Sequence, residues 1–205
     1  MIEQDRRELS PYERPYLEAR SFVDHVHALC EDPGKRAALR SGLGRPLDRC
    51  HRMHQVIAAM VPDKRDNYQR AYYAIASMIA SLPPQARGTS EEGGPAEKRD
   101  FGVCLAEGVG RTMRESAAEA RLNLLTRQSV EGVHRHLPAA VRVLADRPSA
   151  VDWAQLLLDL RDWDYSRDRT TRRWLQSFYR TRLKAEREAA ERADAADNTT
   201  DTPQT

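Results

Sequence analysis

Hydrophobic residues recur at every third or fourth position along most of the chain, and no segment alternates convincingly between apolar and polar residues. The first spacing is that of an amphipathic helix and the second that of a half-buried strand, so the chain is predicted to be all-α. Asp32 followed by Pro33 has the form of an N-cap and a first helical residue. In the first half the pattern indicates helices over about 14–30, from Pro33 to near Gly42, from Pro46 to about Met60, and over roughly 64–82.

The helical pattern resumes at Phe101 and continues to the final helix. Pro138 lies within the segment that Ser129 is expected to cap, so we predict either a kink or a break in that helix. Ser149 and Asp152 are three residues apart and have the form of a capping box. The predicted helices are a short one at Phe101, one near 115–126, one from Ser129 to Asp146, one that holds Trp153, and a long one from about 168.

One stretch, residues 83–99, interrupts this pattern with prolines, glycines and mixed charges, which is typical of a flexible loop or a linker. We therefore expect two small helical subdomains that form an elongated bundle, over residues 1–82 and 100–185. Residues 186–205 become acidic, rich in alanine and then polar, so a disordered acidic tail is predicted there.

The net charge of +2 conceals local clusters of basic residues. Residues 33–52 hold six basic groups against Asp48 alone, and residues 167–182 hold six against Asp168 alone. Arginine outnumbers lysine 29 to 4. Guanidinium groups bind phosphate through paired hydrogen bonds and stack on bases, which favours a nucleic-acid partner. A GC-rich coding sequence would also raise the arginine content, so the bias alone carries little weight.

The candidate contacts are basic residues at positions expected to be exposed. Arg135 and Arg142 are seven residues apart and share a helix face opposite the apolar stripe. A Gly42-Leu43-Gly44 turn would bring backbone amides close to a phosphate. The alternative is that all these residues are solvated or form internal ion pairs. The candidates are Arg36, Arg40, Arg45, Arg121, Arg127, Arg135, His136, Arg142, Arg172 and Arg173.

Other chemistry has weaker support in the sequence. Two groups of histidine and cysteine lack the usual spacing of a zinc site. Three aspartates suggest a metal-dependent nuclease, but helical geometry separates the third of them from the first two, so we expect ion pairs with nearby arginines instead. No nucleotide-binding or nucleophile motif is present, and we predict no cofactor, no metal and no enzymatic activity. The residues considered are His25, His27, Cys30, Cys50, His51, His54, Asp159, Asp162 and Asp164.

The three cysteines are odd in number and widely spaced, which argues against a disulfide framework. No apolar run approaches the length of a membrane span, and no signal-peptide pattern opens the chain. We therefore expect a soluble, cytoplasmic protein without a membrane partner.

Four segments occur in order along the chain: AALRSGLGRP, EARLNLLTRQSVEGVHRHLPAAVRVL, VDWAQLLLDLRDWD and TTRRWLQSFY. Their motifs and their order resemble the CasB family. The family's arginine and leucine element matches Arg121 with Leu124 and Leu125, and its Arg-Arg-Trp element matches Arg172, Arg173 and Trp174. The family's His-Leu element and its Trp-x2-Leu-x2-Asp-Leu-x2-Trp segment match His136-Leu137 and Trp153 to Trp163. The match spans about residues 33–182.

CasB is the small subunit of the type I-E CRISPR surveillance complex called Cascade. The resemblance implies a helical, non-catalytic protein that stabilises the assembly of guide RNA and target DNA through basic surfaces. It implies crRNA, target DNA and displaced DNA as partners, together with the Cascade backbone and large subunits and a second copy of the chain. Ser41 stands where relatives carry a second basic residue, which weakens the predicted patch there. The alternative is a protein–protein adaptor that never touches nucleic acid.

Overall fold

The computed structural model describes residues 13–87 and 99–200, and over these ranges the chain forms helices and no β-strand. The all-α prediction is thereby confirmed. Short 3-10 turns occur at Leu47–Arg49, Ala58–Met60, Pro84–Ala86 and Pro148–Ala150. The helices are α1 Arg14–Leu29, α2 Pro33–Arg40, α3 His51–Ile57, α4 Asp66–Ala80, α5 Phe101–Gly108, α6 Glu115–Thr126, α7 Val130–Leu144, α8 Trp153–Arg161 and α9 Trp163–Thr200.

Helix starts follow short polar side chains, as predicted at two positions. The Asp32 carboxylate accepts a hydrogen bond from the Lys35 amide at 2.9 Å, and Pro33 follows as the first residue of α2. The Ser129 hydroxyl accepts from the Gly132 amide at 3.3 Å and caps α7.

The expected capping box before α8 is wrong. Asp152 is itself the N-cap of α8, and its carboxylate accepts from the Gln155 amide at 2.9 Å. The physical reason is that an aspartate with extended backbone caps a helix on its own.

Pro138 does not split α7, which runs continuously from Val130 to Leu144. A proline inside a helix costs about 3 kcal/mol. The same helix buries four large aliphatic side chains, each contributing roughly 1.5–3 kcal/mol. Burial therefore outweighs the missing hydrogen bond. The four are Val133, Leu137, Val141 and Leu144.

The last helix is longer at both ends than the sequence pattern suggested. It starts at Trp163, because Asp162 alone separates it from α8 and the Ser166 amide already donates to the Asp162 carbonyl at 2.8 Å. It continues to Thr200, so the prediction of a disordered tail is corrected for residues 186–200. Alanine, glutamate and arginine favour helix, and Lys184 pairs with Glu188 one turn away at 3.8 Å. Residues 201–205 lie outside the described residues.

The buried side chains of both halves form one continuous hydrophobic cluster. Helix α8 packs against α1 and α4, and α5 packs against α9 so closely that a Cβ on Gly102 would lie 2.0 Å from the Trp174 carbonyl oxygen. Trp163 and Trp174 are buried with ring centroids 5.2 Å apart, so these two tryptophans form part of the core. The division into two subdomains stays a prediction, and most of the proposed linker, residues 88–98, lies outside the described residues.

Candidate nucleic-acid interface

The turn after α2 presents two arginines to solvent. Gly42 is buried, and Gly44 has a φ of +69°, a left-handed conformation that favours glycine. The Arg45 amide donates to the Gly42 carbonyl at 3.0 Å and closes the turn. Arg40 and Arg45 are exposed on either side of it, whereas Arg36 on α2 is half-buried. The turn thus displays two of the three predicted guanidinium groups freely.

Helix α7 presents a second pair. Arg135 and Arg142 are exposed on the side away from the buried stripe, as the seven-residue spacing predicted. His136 lies next to Arg135 and is half-buried.

The fold brings this helix against the glycine turn. A small cavity is lined by Gly44, Arg45, His134 and Pro138, among others. A neighbouring groove of about 60 Å³ is lined by residues that include Leu43, Pro138 and Arg142. Pro138 lines both depressions, so Arg45 of the glycine turn and Arg142 of α7 border adjoining parts of one surface. We call Arg40, Arg45, Arg135 and Arg142, the exposed arginines beside the glycine turn and on α7, the junction arginines.

The arginines of α6 are arranged differently. Arg121 is half-buried, and its Nη1 donates to the Ala117 carbonyl of its own helix at 2.9 Å. Arg127 is the C-cap residue of α6 and is exposed just before α7. Of this pair, Arg127 has the freer guanidinium group.

Arg172 and Arg173 are adjacent in α9 but have different surroundings. Arg172 is exposed. Arg173 forms ion pairs with the buried carboxylates of Asp159 and, at 3.5 Å, Asp100. Burial raises the pKa of Asp159, and its other carboxylate oxygen accepts from the Trp174 indole at 2.6 Å. Arg173 therefore compensates buried charge, and we assign it a structural role instead of the predicted contact.

The remaining predicted carboxylates are engaged in ion pairs. Asp162 accepts from Arg161 at 2.9 Å, and Asp164 accepts from Arg65 at 3.2 Å. Asp159 also pairs with an arginine, Arg173. Within residues 13–87 and 99–200, no group of three histidine, cysteine or acidic side chains could hold a metal ion.

The predicted cysteine and histidine ligands have other partners. The Cys50 thiol is buried and donates to the Pro46 carbonyl at 3.4 Å, and the His54 ring bonds the Tyr73 hydroxyl at 2.7 Å. All three cysteines are free and buried. No helix in the described part of the chain is long and apolar enough to cross a membrane.

Sequence reasoning missed a groove at the start of α9. It has a volume of about 630 Å³ and is lined by α9 and by the first residues of α7. Tyr165, Arg169 and Arg172 follow one another at i, i+4 and i+7, a helix-face spacing that could have identified it. The groove is lined by Ser129, Val130, Trp163, Asp164, Tyr165, Ser166, Arg167, Asp168, Arg169 and Arg172.

The family model for CRISPR-associated protein Cse2 matches residues 35–179. The chain belongs to the Cse2 family. No curated protein sequence matches this Cse2 chain.

Solved structures agree with this assignment. A chain of a CRISPR RNA-guided surveillance complex is 34% identical with a TM-score of 0.76, over 85% of this chain and 99% of that one. CasB from Thermus thermophilus is 23% identical with a TM-score of 0.61, over 83% of this chain and 99% of that one. CasB from M. ruber is 23% identical with a TM-score of 0.64, over 82% and 96%. The predicted resemblance to CasB is thereby confirmed.

The family match includes the junction arginines and the groove of this Cse2 chain, and it ends within α9, before residues 180–200. His134 also lies within the match. It is buried on α7, and neither ring nitrogen has a hydrogen-bond partner in the described structure. Burial and the nearby Arg70 cation lower the pKa of His134 to about 3, partly offset by Glu131. His134 is therefore neutral at physiological pH.

Proposed function

We propose that this chain is a non-catalytic subunit of a CRISPR RNA-guided surveillance complex that binds nucleic-acid backbone through the junction arginines. The observation that carries the proposal is the meeting of the glycine turn and α7 on one surface. None of the four junction arginines has an ion-pair partner among the residues that the structure describes. Unpaired guanidinium groups held on helices and on a closed turn suit phosphate contacts without base readout.

Two observations support a role in a surveillance complex: the chain belongs to the Cse2 family, and a chain of such a complex is 34% identical to it. In such a complex sequence selection belongs to base pairing between guide and target, so a helper subunit needs only to follow backbone charge. Binding is then tolerant of sequence and weakens steeply with salt. The proposed partners are crRNA, target DNA and displaced DNA, the backbone and large subunits, and a second copy of the chain.

Arg36, Arg121, Arg127, His136 and Arg172 extend the proposed basic surface beyond the junction arginines. Two of these residues are exposed. Arg127 lies at the C-terminal end of α6, and Arg172 lines the groove at the start of α9. Arg36 and Arg121 are half-buried, so their contribution to binding is expected to be smaller.

The test compares two double variants of the full chain that remove the same charge. Arg135→Ala with Arg142→Ala is expected to weaken binding to a labelled single-stranded oligonucleotide in a gel-shift assay at low salt. Arg187→Ala with Arg192→Ala, on the exposed extension of α9, serves as the matched control and should change affinity less. Equal losses in both variants would mean that only net charge matters.

An adaptor that binds proteins alone would show no oligonucleotide binding in wild type at any salt concentration. A metal-dependent nuclease would shorten labelled DNA when a divalent cation is added. Either result would overturn the proposal.

A further inference from the structure

Tyr165 is the most exposed large hydrophobic residue in the described structure, and its ring is held in place from one side. The side chain is 75% exposed. The guanidinium carbon of Arg65 lies 4.1 Å from the ring centroid. A cation over an aromatic face attracts it, so Arg65 and Tyr165 form a preformed stack that leaves the other face of the ring in solvent.

Arg65 is itself fixed, so the stack has a rigid base. Its Nε and Nη2 atoms each donate to an Asp164 carboxylate oxygen at 3.2 Å, and Nη2 also donates to the Arg161 carbonyl at 3.3 Å. Asp164 accepts a further bond from the Asn67 amide at 3.3 Å. These bonds connect the start of α4 to the start of α9 and hold Arg65 in position. Because the site is already ordered, a ligand that stacks on Tyr165 causes little loss of conformational entropy in the protein.

Positive charge continues from Tyr165 along the same face of α9. Arg169 is one turn further and Arg172 two turns, so the three residues span about 10 Å at ~1.5 Å per residue. Neither Arg169 nor Arg172 has an ion-pair partner within the described ranges. Arg167 pairs with Asp168 at 3.3 Å, and Asp164 is neutralised by Arg65. The free charge of the groove is therefore that of Arg169 and Arg172.

An exposed aromatic ring beside unpaired arginines in an open groove is the combination that binds single-stranded nucleic acid. An unpaired base stacks on the ring, and phosphates of the same strand reach the guanidinium groups. Duplex bases are stacked on each other and present no free face, so a double helix cannot use Tyr165 in this way. The groove volume of about 630 Å³ leaves room for a nucleotide.

We infer that the groove at the start of α9 is a subsite for single-stranded nucleic acid in which Tyr165 stacks on an unpaired base while Arg169 and Arg172 bind the adjoining phosphates. This inference rests on the proposed nucleic-acid function and adds to it a base-contacting position. The junction arginines bind backbone alone, whereas this subsite distinguishes an unpaired base from a paired one.

The experiment measures affinity of the full chain for two fluorescein-labelled oligonucleotides of equal length by anisotropy at low salt. One is oligo-dT, and the other carries abasic sites and the same number of phosphates. Wild type should bind oligo-dT more tightly. Tyr165→Ala should lose affinity for oligo-dT by about 5- to 160-fold, the range for a stacked base, with little change for the abasic strand. Tyr165→Trp should retain the preference.

Tyr179→Ala is the control, since Tyr179 is another exposed tyrosine of α9 and does not line the groove. Thermal melts should show that Tyr165→Ala folds as wild type does. Unchanged affinity of Tyr165→Ala for oligo-dT would overturn the inference while leaving the proposed function standing, provided that Arg135→Ala with Arg142→Ala still weakens binding. No binding by wild type to either strand would overturn both. Equal losses for both strands would overturn the stacking role.

Discussion

Lowering the pH should destabilise this protein through His134 in particular. In the folded chain His134 is buried beside Arg70, whose guanidinium forms an ion pair with Glu131. Burial and the Arg70 charge hold the pKa of His134 at about 3. In the unfolded chain an ordinary histidine has a pKa of about 6.5. Protons therefore bind the unfolded state first as the pH falls.

The sign and the size of the effect follow from that difference. Above pH 6.5 both states hold a neutral ring, so the stability is fully present. Between pH 6.5 and 3 only the unfolded chain is protonated, and the free energy of unfolding falls by about 1.4 kcal/mol per pH unit. From pH 7 to pH 5 the loss assigned to His134 is about 2 kcal/mol.

The assay is urea denaturation at pH 7 and pH 5, with wild type compared with His134→Leu. The leucine variant lacks the titrating ring, so its loss between the two pH values should be smaller than that of wild type by about 2 kcal/mol. His136→Gln, two residues away on the same helix and half-buried, should behave as wild type does. An identical pH dependence in wild type and His134→Leu would refute the assignment.

Two further predictions concern stability. Asp159→Ala leaves the indole N–H of Trp174 without its acceptor and Arg173 with Asp100 as its only buried carboxylate partner in the described structure, and it should cost about 3 kcal/mol in urea denaturation. Asp168→Ala removes an exposed carboxylate, and its free energy of unfolding should stay within about 0.5 kcal/mol of wild type. Similar losses of stability in Asp159→Ala and Asp168→Ala would contradict the role of the buried network. Gly102→Ala places a Cβ against the Trp174 carbonyl and should lower the free energy of unfolding by about 3 kcal/mol, so a melt unchanged from wild type would show that α5 does not pack this closely.

The presence of the helices could be predicted from the sequence because apolar residues recur at the regular spacing of a helix. The bounds of α1, α4 and α6 lie within about two residues of the pattern. The start of α9 could not be predicted, because one residue, Asp162, separates it from α8 and no turn residue marks the break. The helical extension to Thr200 was missed because its acidic, polar composition resembles disorder while its alanines favour helix.

The candidate surface was only partly predictable. The shared face of Arg135 and Arg142 follows from helical spacing alone. That Arg142 borders the same surface as Arg45 depends on how the glycine turn packs against α7, a tertiary contact that no local pattern encodes. The ion pairs of Arg173 were missed for the same reason, since Asp100 lies far away in the sequence.

The central claim is that the junction arginines bind nucleic-acid backbone, and its most direct test is the salt dependence of binding. Affinity for a single-stranded oligonucleotide should be measured over a salt series for wild type and for Arg135→Ala with Arg142→Ala. If both arginines contact phosphate, the slope of log K against log salt should become shallower by about 1.4, or ~0.7 for each contact. A slope that is unchanged in the double variant, or no binding by wild type at the lowest salt, would contradict the account.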